Sequence, residues 1–160
     1  AKTEVMKQRV QAINPACEVV SMMAFYQAEH AAQFFRSKYD YVVDAVDTVS
    51  AKIPLAIQCY ERGIPIISSM GAANKLDPTL FEVIDIYKTK ADPLARIMRK
   101  KLKEHKIPRL KVVCSRERPH ADARNTSHPG SISFVPPVVG MIMAGEVIRD
   151  IVGVRVEVSA

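Results

Sequence analysis

The sequence predicts an α/β domain built around a mainly parallel sheet. Amphipathic segments alternate with short apolar segments along the first half of the chain, a pattern typical of βαβ units with right-handed crossovers. Two of the apolar runs, 41–46 and 64–68, are nearly uninterrupted, as strands covered on both faces are. The length of 160 residues, 48% apolar and 25% charged, suits one globular domain with its own core.

Clear stop signals divide the first half of the chain. Asn14-Pro15 ends the first helical pattern and Gly63 ends the third, because proline and glycine terminate helices. Helices are predicted over 5–13, 28–35 and 50–62, and strands over 18–25, 39–46 and 64–68.

The second half predicts a mixed addition to this sheet. Residues 81–87 alternate apolar and polar, like a strand with one solvated face, and 110–114 form a further strand. Asp92-Pro93 supplies the N-cap and the first-turn proline of a helix that continues to Lys106. Three further segments complete the chain: a polar, mobile loop over 115–130, a helix over 137–151 buried in the core or in a subunit interface, and a last strand over 152–158.

Composition excludes several classes of protein. The three cysteines are far apart and odd in number, which favours free thiols over a disulfide scaffold, and no C-x-x-C pair suggests structural zinc. We find no secretory signal and no apolar run of the roughly 20 residues that a membrane span needs, so a cytoplasmic protein is expected. Lys and Arg number 23 against 17 Asp and Glu, and the net charge of +6 favours an anionic partner.

Two loops at predicted strand ends are candidates for a ligand site. Asp44 and Asp47 follow one strand, and the small residues 68–74 follow the next. Ligands of open α/β sheets bind beyond the carboxyl ends of the strands, where an acid can hold Mg²⁺ bound to phosphates. The simpler alternative is that Asp47 or Thr48 only caps the following helix.

A basic helix is a candidate nucleic-acid surface. Residues 92–106 contain six Lys or Arg side chains against Asp92 and Glu104, and they lie away from the apolar positions of the helix. Such a face suits a phosphate backbone, although a merely solvated helix face is the alternative.

Two weaker candidates lie nearby. Cys114 could be an activated nucleophile, but a cysteine that ends an apolar strand is more often buried and inert. A metal site from His120, Asp122 and His128 is conceivable, although no helical spacing holds these residues together.

Several stretches together point to one family. They are residues 1–6 with Ile13-Asn14-Pro15, YVVDAVDT over 41–48, IPIISSMGAANKLDPT over 64–79, IDIYKT over 84–89, DPLAR over 92–96 and KVVCS over 111–115. In this combination nearly the whole chain resembles the ThiF/MoeB/HesA family, relatives of ubiquitin-activating enzymes. It is most similar to the branch that dehydrates threonylcarbamoyladenosine in tRNA, and the absence of zinc-type cysteine pairs favours that branch over the sulfur-carrier activators.

The resemblance implies a Rossmann-like three-layer fold and a reaction with ATP and Mg²⁺. A carboxylate on the tRNA is adenylated, and the activated group then cyclises and releases AMP. Lys2 matches a lysine that contacts the ATP phosphates, and Asp47 matches the catalytic aspartate that helps to hold Mg²⁺ and the phosphates. Three more residues are expected to line the same nucleotide site: Asp44, Thr48 and Gly71. Candidate tRNA contacts are Arg96, Arg99, Lys100 and Lys103, together with the 115–130 loop.

The family pattern also contains parts that lie before Lys2: a strand, a glycine-rich loop, a ribose-binding acid and an arginine-bearing segment. We therefore expect residues 1–160 to be one domain that forms the C-terminal two-thirds of such an enzyme, truncated at its N-terminal side. Without the glycine loop, this part alone is expected to bind ATP weakly or not at all. The late cysteine-containing segment of that branch is replaced here by 131–137, which has no cysteine and argues against a covalent cysteine step.

Two other functions remain open at this point. One is an adenylyltransferase that activates a ubiquitin-like sulfur-carrier protein, and the other is a non-catalytic dimerisation module. The apolar segment 135–148 suits a homodimer interface, and the resemblance leaves a cysteine desulfurase system open as a further partner.

Overall fold

The computed structural model describes residues 1–120 and 130–154. Its helices are α1 (Lys2–Ile13), α2 (Ala31–Phe34), α3 (Val49–Glu61), α4 (Pro93–Glu104) and α5 (Val135–Val152). Its strands are β1 (Val42–Asp44), β2 (Ile66–Ser69), β3 (Phe81–Asp85) and β4 (Lys111–Ser115).

The four strands form one sheet in the order β1-β2-β4-β3. Strands β1, β2 and β4 are parallel, whereas β3 runs antiparallel to β4 at the edge. The predicted α/β class, with a mainly parallel sheet and a mixed C-terminal part, is therefore confirmed. The edge strand β3 packs on both faces, because Phe81 and Val83 contact one core and Ile84 contacts the other. The solvated face predicted from the alternation of 81–87 is present at exposed Glu82 but not at Ile84.

Helices cover both faces of the sheet and make three layers. On one face Ala56 of α3 and Met98 of α4 pack with Val112 of β4. On the other face Val139 and Met143 of α5 pack with Val113, the next residue of β4. Because successive side chains of a strand point to opposite faces, one strand supplies both cores.

Helix ends agree with their sequence signals. The Asp92 carboxylate accepts a hydrogen bond from the Ala95 N–H (2.9 Å), and Pro93 occupies the first turn of α4. Gly63, just beyond α3, and Gly153, just beyond α5, have φ values of +64° and +71°, a left-handed conformation that glycine adopts without strain. The helices predicted over 5–13, 50–62, 92–106 and 137–151 are all present, with ends shifted by a few residues.

The strand predicted over 18–25 is wrong. The described residues include no strand there, and the side chains of Val20 and Phe25 are 87% and 91% exposed. A strand needs a neighbour to satisfy its backbone hydrogen bonds, and no described strand pairs with this segment. Helix α1 likewise has no buried residue, so the described N-terminal segment contributes no side chain to the buried core.

Helix α5 differs in part from its prediction. Val135, Val139 and Met143 are buried, as expected for a core helix, but Met141 on the outer side is 73% exposed. Val152 ends α5 rather than beginning a strand, and residues 155–158 of the predicted last strand lie outside the described residues. None of the helices described is both long and apolar enough to cross a membrane.

An ion cluster fastens α5 to the sheet at the amino end of β4. Lys111 Nζ lies 2.9 Å from Glu146 Oε1 and 2.6 Å from Asp150 Oδ2, and the Tyr41 hydroxyl donates to Asp150 Oδ2 (2.7 Å). The hydrogen bond from Lys111 is the largest cause that lowers the pKa of both carboxyl groups. The folded state therefore binds fewer protons at these sites than the unfolded state does.

This ion cluster predicts a particular acid sensitivity. Lowered carboxyl pKa values contribute stability above the ordinary values of 4.5 for Glu146 and 3.8 for Asp150, and that contribution is lost as the pH falls below them. We expect the wild-type melting temperature to fall over this acid range, and Lys111→Met to show a smaller fall. Calorimetry at several pH values measures this. The control Lys100→Met changes an exposed lysine on α4 and should keep the wild-type pH dependence of the melting temperature. If the melting temperature of Lys111→Met fell as steeply with pH as that of the wild type, the prediction would be contradicted.

Candidate functional site

The two loops singled out by the sequence leave the same edge of the sheet. Asp44 at the end of β1 is in register with Ser68 on the parallel strand β2. The loops over 45–48 and 70–75 therefore begin side by side at the carboxyl edge, as predicted, and we call this region the mouth.

A buried charged triad lies beneath the mouth. Lys52 of α3 donates from Nζ to Asp44 Oδ2 (2.9 Å) and to Ser68 Oγ (3.0 Å). The Ser68 hydroxyl in turn donates to Asp44 Oδ2 (2.6 Å). The side chains of Lys52 and Asp44 are 0% exposed. Helix α3 is thus joined to two strands by groups that are satisfied by one another.

The placement of Asp44 differs from the expectation that it lines the mouth as a ligand-binding residue. Its Oδ2 accepts two hydrogen bonds within the triad, and its Oδ1 accepts one from the Val46 N–H (3.2 Å). Burial is the main cause that lowers the pKa of Lys52, and the nearby acids Asp44, Asp47 and Asp92 oppose it. The carboxylate of Asp44 therefore joins β1 to α3 and to β2.

A second buried pair holds the other loop. Lys75 Nζ lies 2.8 Å from Asp92 Oδ2 and also donates to the carbonyl of Gly71. The same Asp92 caps α4 through Ala95, so one carboxylate joins the loop to the helix. A side chain at Gly71 would place its Cβ 3.1 Å from Asp92 Oδ2. Close packing over this pair is a physical reason for glycine at this position.

Asp47 and Thr48 stand at the exposed rim of the mouth. Thr48 precedes α3, but neither its side chain nor that of Asp47 makes a capping hydrogen bond, so the capping alternative is not observed. Among the described residues, the Asp47 carboxylate has no hydrogen bond or ion pair. The described residues also contain no group of three His, Cys, Asp or Glu side chains able to hold a metal ion alone.

Lys2 is not joined to the mouth by contacts. It begins α1, where it is exposed, and within the described residues no hydrogen bond or ion pair connects it to β1, β2 or their loops. The structure thus brings together Asp44, Asp47, Thr48 and Gly71 but does not bring Lys2 to them.

Asn74 anchors the loop that follows β4. Its backbone N–H donates to the Gly130 carbonyl (2.8 Å), its side-chain oxygen accepts from the Gly130 N–H (2.9 Å), and its carbonyl accepts from the His120 N–H (2.7 Å). Asn74 has a φ of +56°, a left-handed conformation that asparagine tolerates. Residues 121–129 of the predicted mobile loop lie outside the described residues, as do Asp122 and His128 of the conceivable metal site. His120 itself contacts Glu117 (2.9 Å).

The basic helix α4 presents most of its cations to solvent. Arg96, Lys100 and Lys103 are exposed, as predicted. Arg99 differs, because its guanidinium is half-buried and donates to the carbonyl (3.1 Å) and hydroxyl oxygens of Thr89. Its contacts therefore fasten α4 to the segment after β3. Two more exposed lysines, Lys88 and Lys90, come from that same segment.

Cys114 agrees with the inert alternative. It is buried on β4, and burial raises the pKa of its thiol to about 11. A thiol with so high a pKa is a poor nucleophile at neutral pH.

Sequence reasoning missed both buried lysines, Lys52 and Lys75. One signal was present: Lys52 lies in the apolar helical segment AKIPLAIQC, on the side that faces the sheet. A lysine in such a position is almost never fully buried without a partner. The partner could not be identified, since Asp44 and Asp47 both precede it at plausible distances.

Comparison with known proteins gives matches along nearly the whole chain. The chain matches the ThiF family over residues 1–160. It is 43% identical over 166 aligned residues to the tRNA threonylcarbamoyladenosine dehydratase of Bacillus subtilis (strain 168), covering 94% of this chain and 65% of that relative. It therefore spans less than two thirds of that relative's length.

Solved structures agree with this match. The E. coli tRNA N6-threonylcarbamoyladenosine dehydratase TcdA in complex with AMP is similar with a TM-score of 0.87 and 30% identity, over 96% of this chain and 65% of that chain. The same enzyme in complex with ATP gives a TM-score of 0.86 and 30% identity, over 96% of this chain and 64% of that chain. The Rossmann-like fold expected from the sequence is thereby confirmed.

The packing at Gly71 gives a direct prediction. Gly71→Ala should lower the free energy of unfolding by about 1–3 kcal/mol, because the new methyl group forces Asp92 away from Lys75 and from the start of α4. Chemical denaturation measures the change. The control is Gly140→Ala in α5, where nothing lies within 4 Å of the added methyl group and alanine favours the helix. A Gly71→Ala variant as stable as wild type would show that this contact is not tight.

Proposed function

This chain belongs to the ThiF family, and we propose on that premise that the whole protein is an ATP-dependent tRNA threonylcarbamoyladenosine dehydratase. The observation that carries the proposal is the exposed Asp47 carboxylate, held without protein partners in the described residues at the carboxyl edge of a parallel sheet. The names of the Bacillus subtilis relative and of the E. coli structures with AMP and ATP support it.

The proposed chemistry proceeds in two steps. A carboxylate oxygen of the threonylcarbamoyl group attacks the α-phosphorus of ATP, and pyrophosphate leaves. A nucleophilic atom of the neighbouring carbamoyl group then attacks the activated carbonyl carbon, the ring closes and AMP leaves. The net change in the nucleoside is the loss of one water, and ATP is converted to AMP and pyrophosphate.

Asp47 suits the task of holding Mg²⁺ at the phosphates. Mg²⁺ bound to a nucleotide usually takes one or two carboxylates, with phosphate and water oxygens as its other ligands. A single free carboxylate at the rim fits this mode, and no ready-made cluster of three ligands is required. Thr48 is also exposed and is the next residue in the chain. Lys2 makes no contact with the mouth in the described residues, so its proposed role at the phosphates rests on the sequence resemblance alone. The bound ion would neutralise charge that develops on the departing pyrophosphate.

We assign the tRNA to the exposed cations around α4. Arg96, Lys100 and Lys103 share this surface with Lys88 and Lys90, and we call the five residues the basic surface. Phosphate contacts of this kind position a nucleic acid without reading its sequence. Arg99 supports the surface through Thr89 and is not proposed as a tRNA contact. A tRNA substrate agrees with the cytoplasmic location expected from the sequence.

A second copy of the chain is the proposed partner of α5. Exposed apolar side chains run along its outer side at intervals of seven residues, from Phe134 through Met141 to Ile148. That spacing makes a continuous stripe on a helix, and such a stripe is self-complementary across a two-fold axis. This supports the predicted homodimer.

The role of Asp47 is tested in the intact gene product. Asp47→Asn should lower ATP–pyrophosphate exchange in the presence of threonylcarbamoylated tRNA on the order of 100-fold, because the neutral amide no longer holds the cation at the phosphates. The control is Asp40→Asn, an exposed aspartate just before β1 at the other end of the strand. Exchange that requires a small carrier protein instead of tRNA would favour a sulfur-carrier activator. No exchange with either would favour the non-catalytic module.

The basic surface has its own test. Changing Arg96, Lys100 and Lys103 together to Gln should weaken tRNA binding and reduce the slope of log Kd against log salt concentration by about 3, one unit for each phosphate that is no longer neutralised. Filter binding at several salt concentrations measures both effects. Changing Arg9, Arg36 and Lys38 to Gln alters the net charge equally at other exposed sites and should leave the slope nearly unchanged. Equal slopes for the two triple variants would place the tRNA elsewhere.

A further inference from the structure

We propose that Lys52 is a positioning residue that sets the Asp47 carboxylate for Mg²⁺–ATP. The inference rests on the proposed function, because it assigns a task to Lys52 only if Asp47 has the task given above. It goes beyond that function, since Lys52 is wholly buried and cannot itself touch the nucleotide.

Lys52 bonds to both ends of the turn that carries Asp47. Its side chain holds Asp44 at the start of the turn (2.9 Å), and its backbone N–H donates to the Thr48 carbonyl at the end (3.0 Å). Inside the turn, the Val46 N–H donates to Asp44 Oδ1 (3.2 Å). Asp47 therefore lies in a short loop with both ends fixed to one residue of α3. A carboxylate held in this way loses little freedom when it takes up a ligand.

The triad also fixes the turn to the neighbouring strand. Ser68 of β2 accepts from Lys52 (3.0 Å) and donates to Asp44 (2.6 Å), and β2 ends one residue later, where the loop to the Lys75–Asp92 pair begins. The two loops of the mouth are thereby held in one relative position. Removal of the Lys52 amine would release Asp44 from α3 and leave its buried charge without a cation.

Charge supports the same assignment. Three carboxylates act on Lys52, from Asp44, Asp47 and Asp92, and Lys75 is the other buried cation of the region. Asp44 and Asp92 each have a lysine within 2.9 Å, so Asp47 is the carboxylate left with its negative charge facing solvent. Asp47 would then be the carboxylate of these three that is available to bind Mg²⁺, and its loop holds it in one position. Residues that orient metal ligands in this indirect way typically change metal affinity by about 10- to 100-fold when they are mutated.

The experiment measures equilibrium binding of ATP to the intact gene product by calorimetry, with and without Mg²⁺. Lys52→Met keeps an unbranched side chain that is one atom shorter and removes its charge. We expect ATP binding in the presence of Mg²⁺ to weaken by about 10- to 100-fold, whereas binding without Mg²⁺ should stay near the wild-type value. Lys111→Met is the matched control, because it removes an ion-paired lysine at the opposite end of the sheet. It should leave both binding constants at the wild-type values.

A second variant covers the case in which Lys52→Met does not fold. The double variant Asp44→Asn with Lys52→Met leaves no unpaired buried charge, and replacing a whole buried pair is usually far better tolerated than breaking it. The loss of Mg²⁺-dependent binding is expected to persist in this double variant.

The possible outcomes separate the two proposals. If the wild-type protein shows no Mg²⁺-dependent binding of ATP, the proposed function itself fails. If the wild type shows it and the folded Lys52 variants retain it in full, Lys52 is only a structural residue and the inference is wrong. An equal loss in Lys111→Met would also overturn the inference, because it would show an effect of general destabilisation.

Discussion

Two ammonium groups are removed from water beneath the mouth, and the arrangement of the loops above them depends on how each is satisfied. Burying an unpaired charge is far more costly than any single packing contact, so Lys52 must find Asp44 and Lys75 must find Asp92 in the folded state. Breaking such a pair by removing one partner typically costs about 3–5 kcal/mol. Each pairing also fixes the geometry of the fold, because Lys52 and Asp44 come from α3 and β1, and Lys75 and Asp92 come from a loop and the start of α4.

This constraint joins the polar groups at the centre of the protein to one another and leaves the rim of the mouth exposed. Ser68 supplies a second acceptor for Lys52 and the Gly71 carbonyl a second acceptor for Lys75, so each polar side chain of the triad and the pair has a hydrogen-bond partner. Asp47 takes no part in these bonds and is left exposed. A binding group on a loop with fixed ends combines accessibility with little loss of freedom on binding.

The two ends of the sheet use charge differently. At the amino end, Lys111 binds Glu146 and Asp150 in a half-exposed cluster that fastens α5, and solvent weakens its contribution. At the carboxyl end the Lys52–Asp44 and Lys75–Asp92 pairs are buried and join the loops of the mouth to the helices. The basic surface forms a third electrostatic region, joined to the fold by Arg99 at Thr89. The attachment of α5, the proposed positioning of Asp47 and the proposed tRNA contacts therefore rest on separate groups of charges.

The sequence by itself determined the elements whose signals are local. The alternation of helical and apolar segments, the Asp92-Pro93 start of α4 and the glycine beyond α3 each act within a few neighbouring residues, and these predictions were confirmed. The segment 18–25 has the composition of a strand, but pairing is a long-range event and the described chain supplies no partner. Only the tertiary structure decided that Asp44 and Arg99 turn inward, and that Lys52 and Lys75 are buried. Burial and ion pairing depend on which distant residues come together, and a pattern along one chain does not contain that information.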